Sequence, residues 1–396
     1  MREFSAEERE LFEWMADSLS FFEKTDLIPA EDIDIHEIVE LSYHQAVLPI
    51  IYGKLMAADL AYEDKEFVKD TYKMACGEFY AFFFDLRKML LLFKGANIPV
   101  VVLKGVSAAR FYPVPESRKS SDIDLLLCDT DDMKRADDML KRSGYRLLTK
   151  GYNIVHHFEY ATPTNHILEL HMMPAEPFDD EKLNRYIREV FRLGADDVMG
   201  ISFMGADIPV MKDGKESFHL LIHMLQDFRR TGFGLKLLCD WVVFWNRDVE
   251  EEEKEKFLKL VRESGVTKFA AAVTGVCEKY LGLKTDISGK LNCPVDDGTL
   301  SELMADIVEA ERNGKPSDDR MVNLRGTGVL SYIREFHHNV ELNFPRAAKT
   351  VIAIPVLYVI VFFRFLRNNR TVRNGQKVSG ILKSAGKRSR LSKKLL

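Results

Sequence analysis

The sequence predicts an α+β fold, and three observations carry that prediction. Strand-like and helix-like patterns interleave between residues 98 and 175, whereas helical periodicity alone fills the stretches before residue 97 and after residue 215. Hydrophobic residues make up 46% and aromatics 11% of the 396, which excludes a generally disordered chain. The strand segments are short and β-branched, as a small mixed sheet packed on helices requires. Composition shifts divide the chain into an N-terminal helical region (1–97), a compact mixed unit (98–212), a helical domain (213–345) and an apolar, basic tail (346–396).

Apolar residues recur at helical spacing from Leu11 to Phe22 and again from Phe67 to Phe93. Gly95, which reaches the left-handed conformation cheaply, is expected to end the second helix. Ile98 to Leu103 reads as a buried strand, and the Lys104-Gly105 turn leads into a short helix near Ser107 to Phe111 that Pro113 and Pro115 stop. Ile123 to Leu127 is the next strand. Asp131 to Ser143 is an amphipathic helix closed by Gly144, with Asp129, Asp131 and Asp132 capping its start. Val155–Tyr160 and His166–His171 are two more strands joined by a turn at Thr162 to Asn165. From residue 215 to 340 the pattern is helical again, and the run Glu250 to Glu255 is a solvated helix end.

The charge is divided unevenly. The whole chain carries 56 Lys plus Arg against 61 Asp plus Glu, a net −5, but no acidic residue follows Glu341. The last 55 residues hold 13 basic ones, so residues 1–341 carry 43 basic against all 61 acidic residues, a balance of −18. Five scattered cysteines without a CxxC pair argue against a disulfide framework or a zinc ribbon and for a reducing compartment. The acidic start from Met1 to Glu10 has no apolar h-region, so no signal peptide is expected, and a cytoplasmic location follows.

The sharpest chemical signal is Arg118-Lys-Ser-Ser-Asp122-Ile-Asp124-Leu-Leu-Leu127. Side chains at i and i+2 of a strand share a face, so Asp122 and Asp124 project together while Ile123 and Leu125 enter the core. Like charges held that close repel unless a cation sits between them, and Mg²⁺, which takes oxygen ligands, suits the pair. Aspartate is also depleted in strands, so two of them here run against local preference. The alternative is an exposed edge where both are merely solvated. Glu169, alone in the apolar run Ile167-Leu-Glu-Leu-His171, supplies a third carboxylate if its strand pairs beside the first. Three converging acids are what metal-assisted phosphoryl or nucleotidyl transfer needs. Upstream, Lys104, Gly105 and Ser107 join a strand to a helix, where a glycine lets backbone N–H groups approach a phosphate and Lys104 adds charge. Removing either aspartate is expected to relieve repulsion and leave stability intact or improved.

These residues resemble a known family. Leu103-Lys-Gly-Val-Ser-Ala108, Tyr112-Pro113, Arg118-x-Ser-x-Asp122-x-Asp124-Leu125, Gly144-Tyr145 and Leu168-Glu-Leu-His171 are similar to the DNA polymerase β-type nucleotidyltransferase superfamily. Within it they most resemble a bacterial uncharacterised nucleotidyltransferase-like family often found near polysaccharide gene clusters. The resemblance is most specific over residues 98–175 and extends loosely from about residue 35 to about residue 250. It implies a polymerase β-like core with the catalytic unit at 98–212, flanked by helical regions, and an enzyme of the EC 2.7.7 type. That enzyme would transfer NMP from an NTP such as ATP to a hydroxyl acceptor. It implies that Asp122 and Asp124 bind both metals, Mg²⁺ or Mn²⁺, that Glu169 binds the catalytic one and helps deprotonate the acceptor, and that Gly105 and Ser107 contact the triphosphate. Lys104 and Arg118 join them as phosphate-holding residues. Two other readings of the function stand beside this one: a toxin-type nucleotidyltransferase modifying tRNA or protein, and a degenerate, membrane-docked scaffold in envelope polysaccharide assembly.

In the helical half, His219 and His223 stand one turn apart, with Asp227 and Arg229 beyond. A zinc pair, a role near the nucleotide or acceptor, and plain packing are all open to them. In Thr231-Gly-Phe-Gly-Leu-Lys236-Leu-Leu-Cys-Asp240-Trp241, Lys236 and Asp240 have the spacing of a helix pair; two readings stand, that Lys236 reaches the triphosphate or that Asp240 only anchors the loop. The tail carries 13 uncharged residues, 351–363, followed by Arg364, Arg367, Arg370 and Arg373. A membrane span needs about 20 apolar residues. The run is therefore read as a docked helix, as an interfacial helix on anionic lipid at the inner face of the membrane, or as a true span. The acidic body opposes wrapping of duplex nucleic acid.

Overall fold

The computed structural model describes residues 3–20, 33–149, 156–212, 214–312, 337, 340, 355–360 and 388–396. Helices α1 (Ala6–Ser18), α2 (Ile35–His44), α3 (Tyr52–Ala57) and the long α4 (Tyr62–Gly95) come first. The mixed part comprises β1 (Val100–Val102), α5 (Val106–Ala109), β2 (Ile123–Leu127), α6 (Met133–Arg142), β3 (Arg146–Leu147), β4 (His157–Ala161), β5 (Ile167–His171), α7 (Glu181–Val190), β6 (Val198–Phe203) and β7 (Ala206–Met211). Helices α8 (Lys215–Arg229), α9 (Leu235–Trp245), α10 (Glu251–Ser264), α11 (Thr267–Tyr280), α12 (Ile287–Leu291) and α13 (Asp297–Ala310) follow. The fold is α+β, with a small mixed sheet among many helices.

Local chemistry sets the boundaries. Ser5 and Glu8 close a reciprocal capping box at the start of α1. The left-handed residue beyond α4 is Asn97, at φ +53°, and Gly95 remains helical. Asparagine tolerates that conformation, and Ile98 N–H then reaches back to Phe93 C=O at 3.0 Å, with both side chains buried together. Gly144, at φ +87°, does the equivalent work after α6, and the Asp129 carboxylate accepts from Asp131 N–H at 2.9 Å ahead of it. The β6–β7 hairpin was not apparent in the sequence. Gly200 lies in one strand and Pro209 opposite it in the other, which breaks the strand pattern, and Met204-Gly205, both at positive φ, form its two-residue turn.

The five-stranded sheet has the order β1-β2-β5-β4-β3. β2 pairs parallel with β5, and the other neighbours are antiparallel. Asp124 stands beside Glu169, Glu169 beside Glu159, and His171 beside His157. The sheet lies between two cores, and strand alternation assigns its side chains to them. Ile123, Leu125, Leu127, Leu168, Leu170 and Tyr160 face a core shared with the end of α4, α6 and the β6–β7 hairpin. Val101, Leu103 and Leu126 face the larger core of the helical body. Asp122, Asp124, Glu169 and His171 have the parity of that second face, so the acids point toward the helices.

Helices from both ends of the chain build the larger core together. Trp14 of α1 and Trp241, Phe244, Phe257 and Phe269 of α9 to α11 are all fully buried in one cluster. Each such side chain is worth roughly 1.5–3 kcal/mol, against under about 1 kcal/mol for an exposed ion pair such as Lys69–Glu66, so packing sets the helix arrangement. The last residues of the chain join this core. Residues 388–395 are helical, Leu391 and Leu395 are buried, and Lys394 reaches Glu302 at 2.8 Å. Arg388 donates to Phe228 C=O and, at 2.8 Å, to Arg230 C=O, where a cation suits the end of α8. Of the apolar run at 351–363, only 355–360 are described, and they are helical, with Leu357 buried and Val356 and Val359 exposed. The rest of that run and Arg364, Arg367, Arg370 and Arg373 lie outside the described residues. Among the described residues, no helix is long and apolar enough to cross a membrane.

The join between β7 and α8 depends on Gly214, at φ +74°, where an added Cβ would lie 2.5 Å from Phe257 N and 2.8 Å from Phe257 Cα. Backbone cannot yield as a side-chain tip can. Gly214→Ala is expected to lose about 2–3 kcal/mol, read as a lower urea midpoint at unchanged slope. A shift under about 0.5 kcal/mol would contradict the close packing of α8 on α10.

Candidate active site

Pairing of β2 with β5 brings the acids together. Asp122 immediately precedes β2, Asp124 is its second residue and Glu169 is the third residue of β5. One carboxylate oxygen from each lies within 4.8 Å of the others. Two unit charges that close, at an effective dielectric of about 20, repel by roughly 3.5 kcal/mol. Lys104, in the turn after β1, answers part of this: its Nζ is 3.3 Å from Asp124 Oδ1. His171 Nε2 is 3.0 Å from the same oxygen and 3.1 Å from Glu169 Oε2. Among the described residues, Asp124 Oδ2 is buried without a hydrogen-bond partner. One lysine and one imidazole against three acids, with an oxygen left over, is a donor set that fits a divalent cation with oxygen ligands.

The two aspartates respond differently. Burial pushes the Asp122 carboxyl up and Asp124 pushes it further, outweighing Lys104. Burial also acts on Asp124, but Lys104 and then His171 hold it well below the usual carboxylate range. Removal of Asp122 is therefore expected to relieve repulsion, whereas removal of Asp124 is expected to strand Lys104 and His171. Asp124 has captured the nearby positive charge.

Beside the acids lies a cavity of about 200 Å³, lined by Lys104, Glu169 and five histidines, with Arg230 at its rim paired to Glu176. Of the three acids, only Glu169 lines it. His156, His157 and His171 come from β4, β5 and the approach to β4, and His219 and His223 come from α8. Burial takes His156 and His219 down to about 3 and His223 well below its ordinary value, so these three are neutral near pH 7. Asp227, with its Oδ2 3.6 Å from His223 Nε2, is raised by burial to about 6. Among the described residues, two groups have metal-ligand spacing: Asp122, Asp124 and Glu169, and His157, Glu169 and His171. The His219–His223 pair is in neither; the rings lie 6.3 Å apart, nearly parallel.

The remaining expected residues are placed as follows. Gly105 is at φ +65°, a conformation that favours glycine, and an added Cβ would sit at ordinary contact distance, 3.6 Å from Ser120 Oγ, 3.7 Å from Asp122 O and 4.0 Å from Arg118 Nη1. Arg118 is therefore at this turn, but its guanidinium is already committed: Nε and Nη2 donate to Asp240 at 3.1 and 2.7 Å, and Nη1 to Ser120 Oγ at 2.8 Å. Tyr112 OH donates to the same carboxylate at 2.6 Å. Asp240 thus anchors the loop before β2 rather than pairing with Lys236. Among the described residues Lys236 makes no ion pair; burial lowers its ammonium and Arg118 adds to this, while Asp240, Glu311 and Asp122 oppose it. The Ser107 hydroxyl donates to Glu216 Oε1 of α8 at 2.6 Å, beside the Arg110–Glu216 ion pair. Sequence reasoning passed over His156, His157 and His171. The signal for His171 was present, since a residue two after Glu169 must share its face.

A family model described as an uncharacterised nucleotidyltransferase matches residues 31–282, more than half of the chain. No curated protein matches. Two solved structures are similar to this chain. One is the antibiotic-resistance factor ANT(2'')-Ia, at 13% identity over 50% of this chain and 92% of that one, with a TM-score of 0.25. The other is an antigenic nucleotidyltransferase-like protein from Paracoccidioides brasiliensis, at 14% identity over 50% and 91%, with a TM-score of 0.28. Likenesses at those scores carry no weight for the fold, which rests on the strands and helices themselves.

Asp240→Asn leaves the buried Arg118 guanidinium without its counter-charge, and a loss of about 3 kcal/mol is expected in chemical denaturation. A loss below about 1 kcal/mol would show that the loop before β2 is held by something else. Asp122 is raised in the folded chain, so its ionised form costs stability above that raised value and costs nothing once both states are protonated. Asp122→Asn should therefore melt at or above the wild-type temperature at pH 7, the difference closing as the pH falls below the ordinary aspartate value. Asp124 is depressed, so its contribution is present at pH 7 and is lost only as the pH falls through its low folded value; Asp124→Asn should melt lower. The same direction of change for both variants would contradict this division.

Proposed function

The chain belongs to the uncharacterised nucleotidyltransferase family, and from that premise we propose that it transfers a nucleoside monophosphate from an NTP to a hydroxyl acceptor, with a divalent cation held by Asp122, Asp124 and Glu169. The observation that carries the cation is the buried, unpartnered Asp124 Oδ2 within a cluster of three acids that one lysine cannot neutralise. When bound, Mg²⁺ or Mn²⁺ would neutralise phosphate charge and align the attacking and leaving oxygens.

The chain's own groups divide the remaining work. Lys104 lies against the acids and would offset triphosphate charge next to them. Lys236, which makes no ion pair among the described residues, would do so from the side of α9. The turn at Gly105 lets backbone approach the phosphates without a Cβ in the way, and Arg118, fixed by Asp240, presents a rigid edge to that turn. Glu169 reaches both the acid cluster and the cavity, so it would take the proton of the acceptor hydroxyl as that oxygen bonds to the α-phosphorus. The bond to the β-phosphate breaks in the same displacement, and pyrophosphate leaves with the electron pair. The Ser107 side chain has no part in this scheme because Glu216 holds it.

Incubation with each α-labelled NTP, Mg²⁺ and cell extract should label an acceptor, and EDTA should prevent it. Asp122→Asn should reduce labelling by at least about 10³-fold while the protein stays folded. Wild-type labelling by that variant would remove Asp122 from the reaction and the acid cluster from the mechanism.

A further inference from the structure

The acids do not exhaust the metal-binding chemistry of this sheet. We propose that His157, His171 and Glu169 form a second metal site, for a transition ion of the zinc type, separate from the Asp122–Asp124 set and sharing Glu169 with it. The proposal does not depend on nucleotidyl transfer.

Strand register builds the site. His157 of β4 stands directly opposite His171 of β5, and Glu169 is two residues before His171 on the same face. Both imidazoles present Nε2 to the carboxylate: His171 Nε2 is 3.1 Å from Glu169 Oε2, and His157 Nε2 is 3.9 Å from Glu169 Oε1. The three ligand atoms lie within 4.8 Å of one another. Zinc bonds of about 2.0–2.1 Å set tetrahedral ligands roughly 3.4 Å apart, so closing the site takes a contraction of at most about 1.4 Å at the widest edge.

Two further observations separate this cluster from an accidental meeting of polar groups. His157 Nδ1 is 2.6 Å from His156 Nε2, a contact that fixes the ring with Nε2 between Glu159 and Glu169, as outer partners of metal-bound histidines commonly do. The cluster also opens on the 200 Å³ cavity, which leaves a fourth coordination position to water. Two nitrogen donors and one carboxylate favour zinc or cobalt, whereas the all-oxygen set of Asp122, Asp124 and Glu169 favours magnesium. The simpler reading is that His171 only donates a hydrogen bond to the acids. On that reading His157 Nε2 is held by Glu159, whose Oε1 is 3.5 Å away, and removal of His157 would leave metal content unchanged.

The test is metal content and cobalt spectroscopy on the purified full chain. After dialysis against Zn²⁺ and removal of loosely held ion, wild type should retain zinc, and Co²⁺ should give visible bands of a nitrogen-ligated centre. His157→Ala should lower Zn²⁺ affinity at least tenfold, with melting curves confirming that the variant is folded. His157→Gln, which keeps the bulk of the side chain, should do the same and serves if the alanine variant does not fold. Asp122→Asn should leave zinc affinity within about threefold of wild type. Absence of zinc from the wild-type chain would overturn the proposal. So would loss of zinc from Asp122→Asn with none from the His157 variants, which would place the ion in the acid cluster.

Discussion

Repulsion among Asp122, Asp124 and Glu169 is the constraint on which the rest of the site is arranged. Three carboxylates on one face of a small sheet is a configuration that burial makes worse, because low-dielectric surroundings strengthen like-charge repulsion. The chain does not relieve it by exposing the acids. It turns that face toward the helical body and places Lys104 and His171 against the most buried member. The result is asymmetric: Asp124 is held ionised, Asp122 is pushed toward its neutral form, and one Asp124 oxygen is left without a partner. Such a donor set fits a divalent cation with oxygen ligands.

Holding charged groups in that state needs rigid surroundings, and two buried ion pairs provide them. Arg118 and Tyr112 converge on Asp240 of α9, and Arg110 and Ser107 converge on Glu216 of α8. Between them these contacts pin the segment from Lys104 to the start of β2 on the helical body. Replacing such pairs by well-packed apolar residues often costs little, but breaking one strands a charge, so their effect is to fix position more than to add net stability. Under the proposed function, the spacing between Gly105 and Asp122 would decide whether a phosphate reaches both the turn and a cation. The helical body is thus part of the site and not only a neighbour of it.

Much of this was legible in the sequence because strand periodicity is strict. Asp122 and Asp124 share a face by parity alone, and the apolar residues between and after them settle which face is core. Convergence with Glu169 was legible only on the condition that β2 and β5 are neighbours, which no local pattern states. What stayed hidden depended on contacts distant in sequence. Ser107 has the residue type of a phosphate ligand, yet Glu216, 109 positions away, claims its hydroxyl. Asp240 could be read as a loop anchor from its sequence, but its partner Arg118, 122 positions away, could not. Asn97 rather than Gly95 closes α4, because either residue accepts the left-handed conformation and packing of Ile98 on Phe93 chooses between them. The histidines around the cavity come from α8, β5, β4 and its approach, so only the fold could show that they form one wall.

The division between an acidic body and a basic tail takes on a more local meaning. At least the last nine residues return to the body, and they do so at specific acids and carbonyls: Lys394 at Glu302, Arg388 at the end of α8. Basic residues placed there satisfy the terminal carbonyls of the helix that carries His219 and His223, while Leu391 and Leu395 seal the contact with apolar surface. Opposite net charges on the two parts favour that return before any contact forms. The tail's excess charge is therefore not solely an address for an external anion. Part of it is consumed in positioning α8, and α8 forms one wall of the cavity beside Glu169.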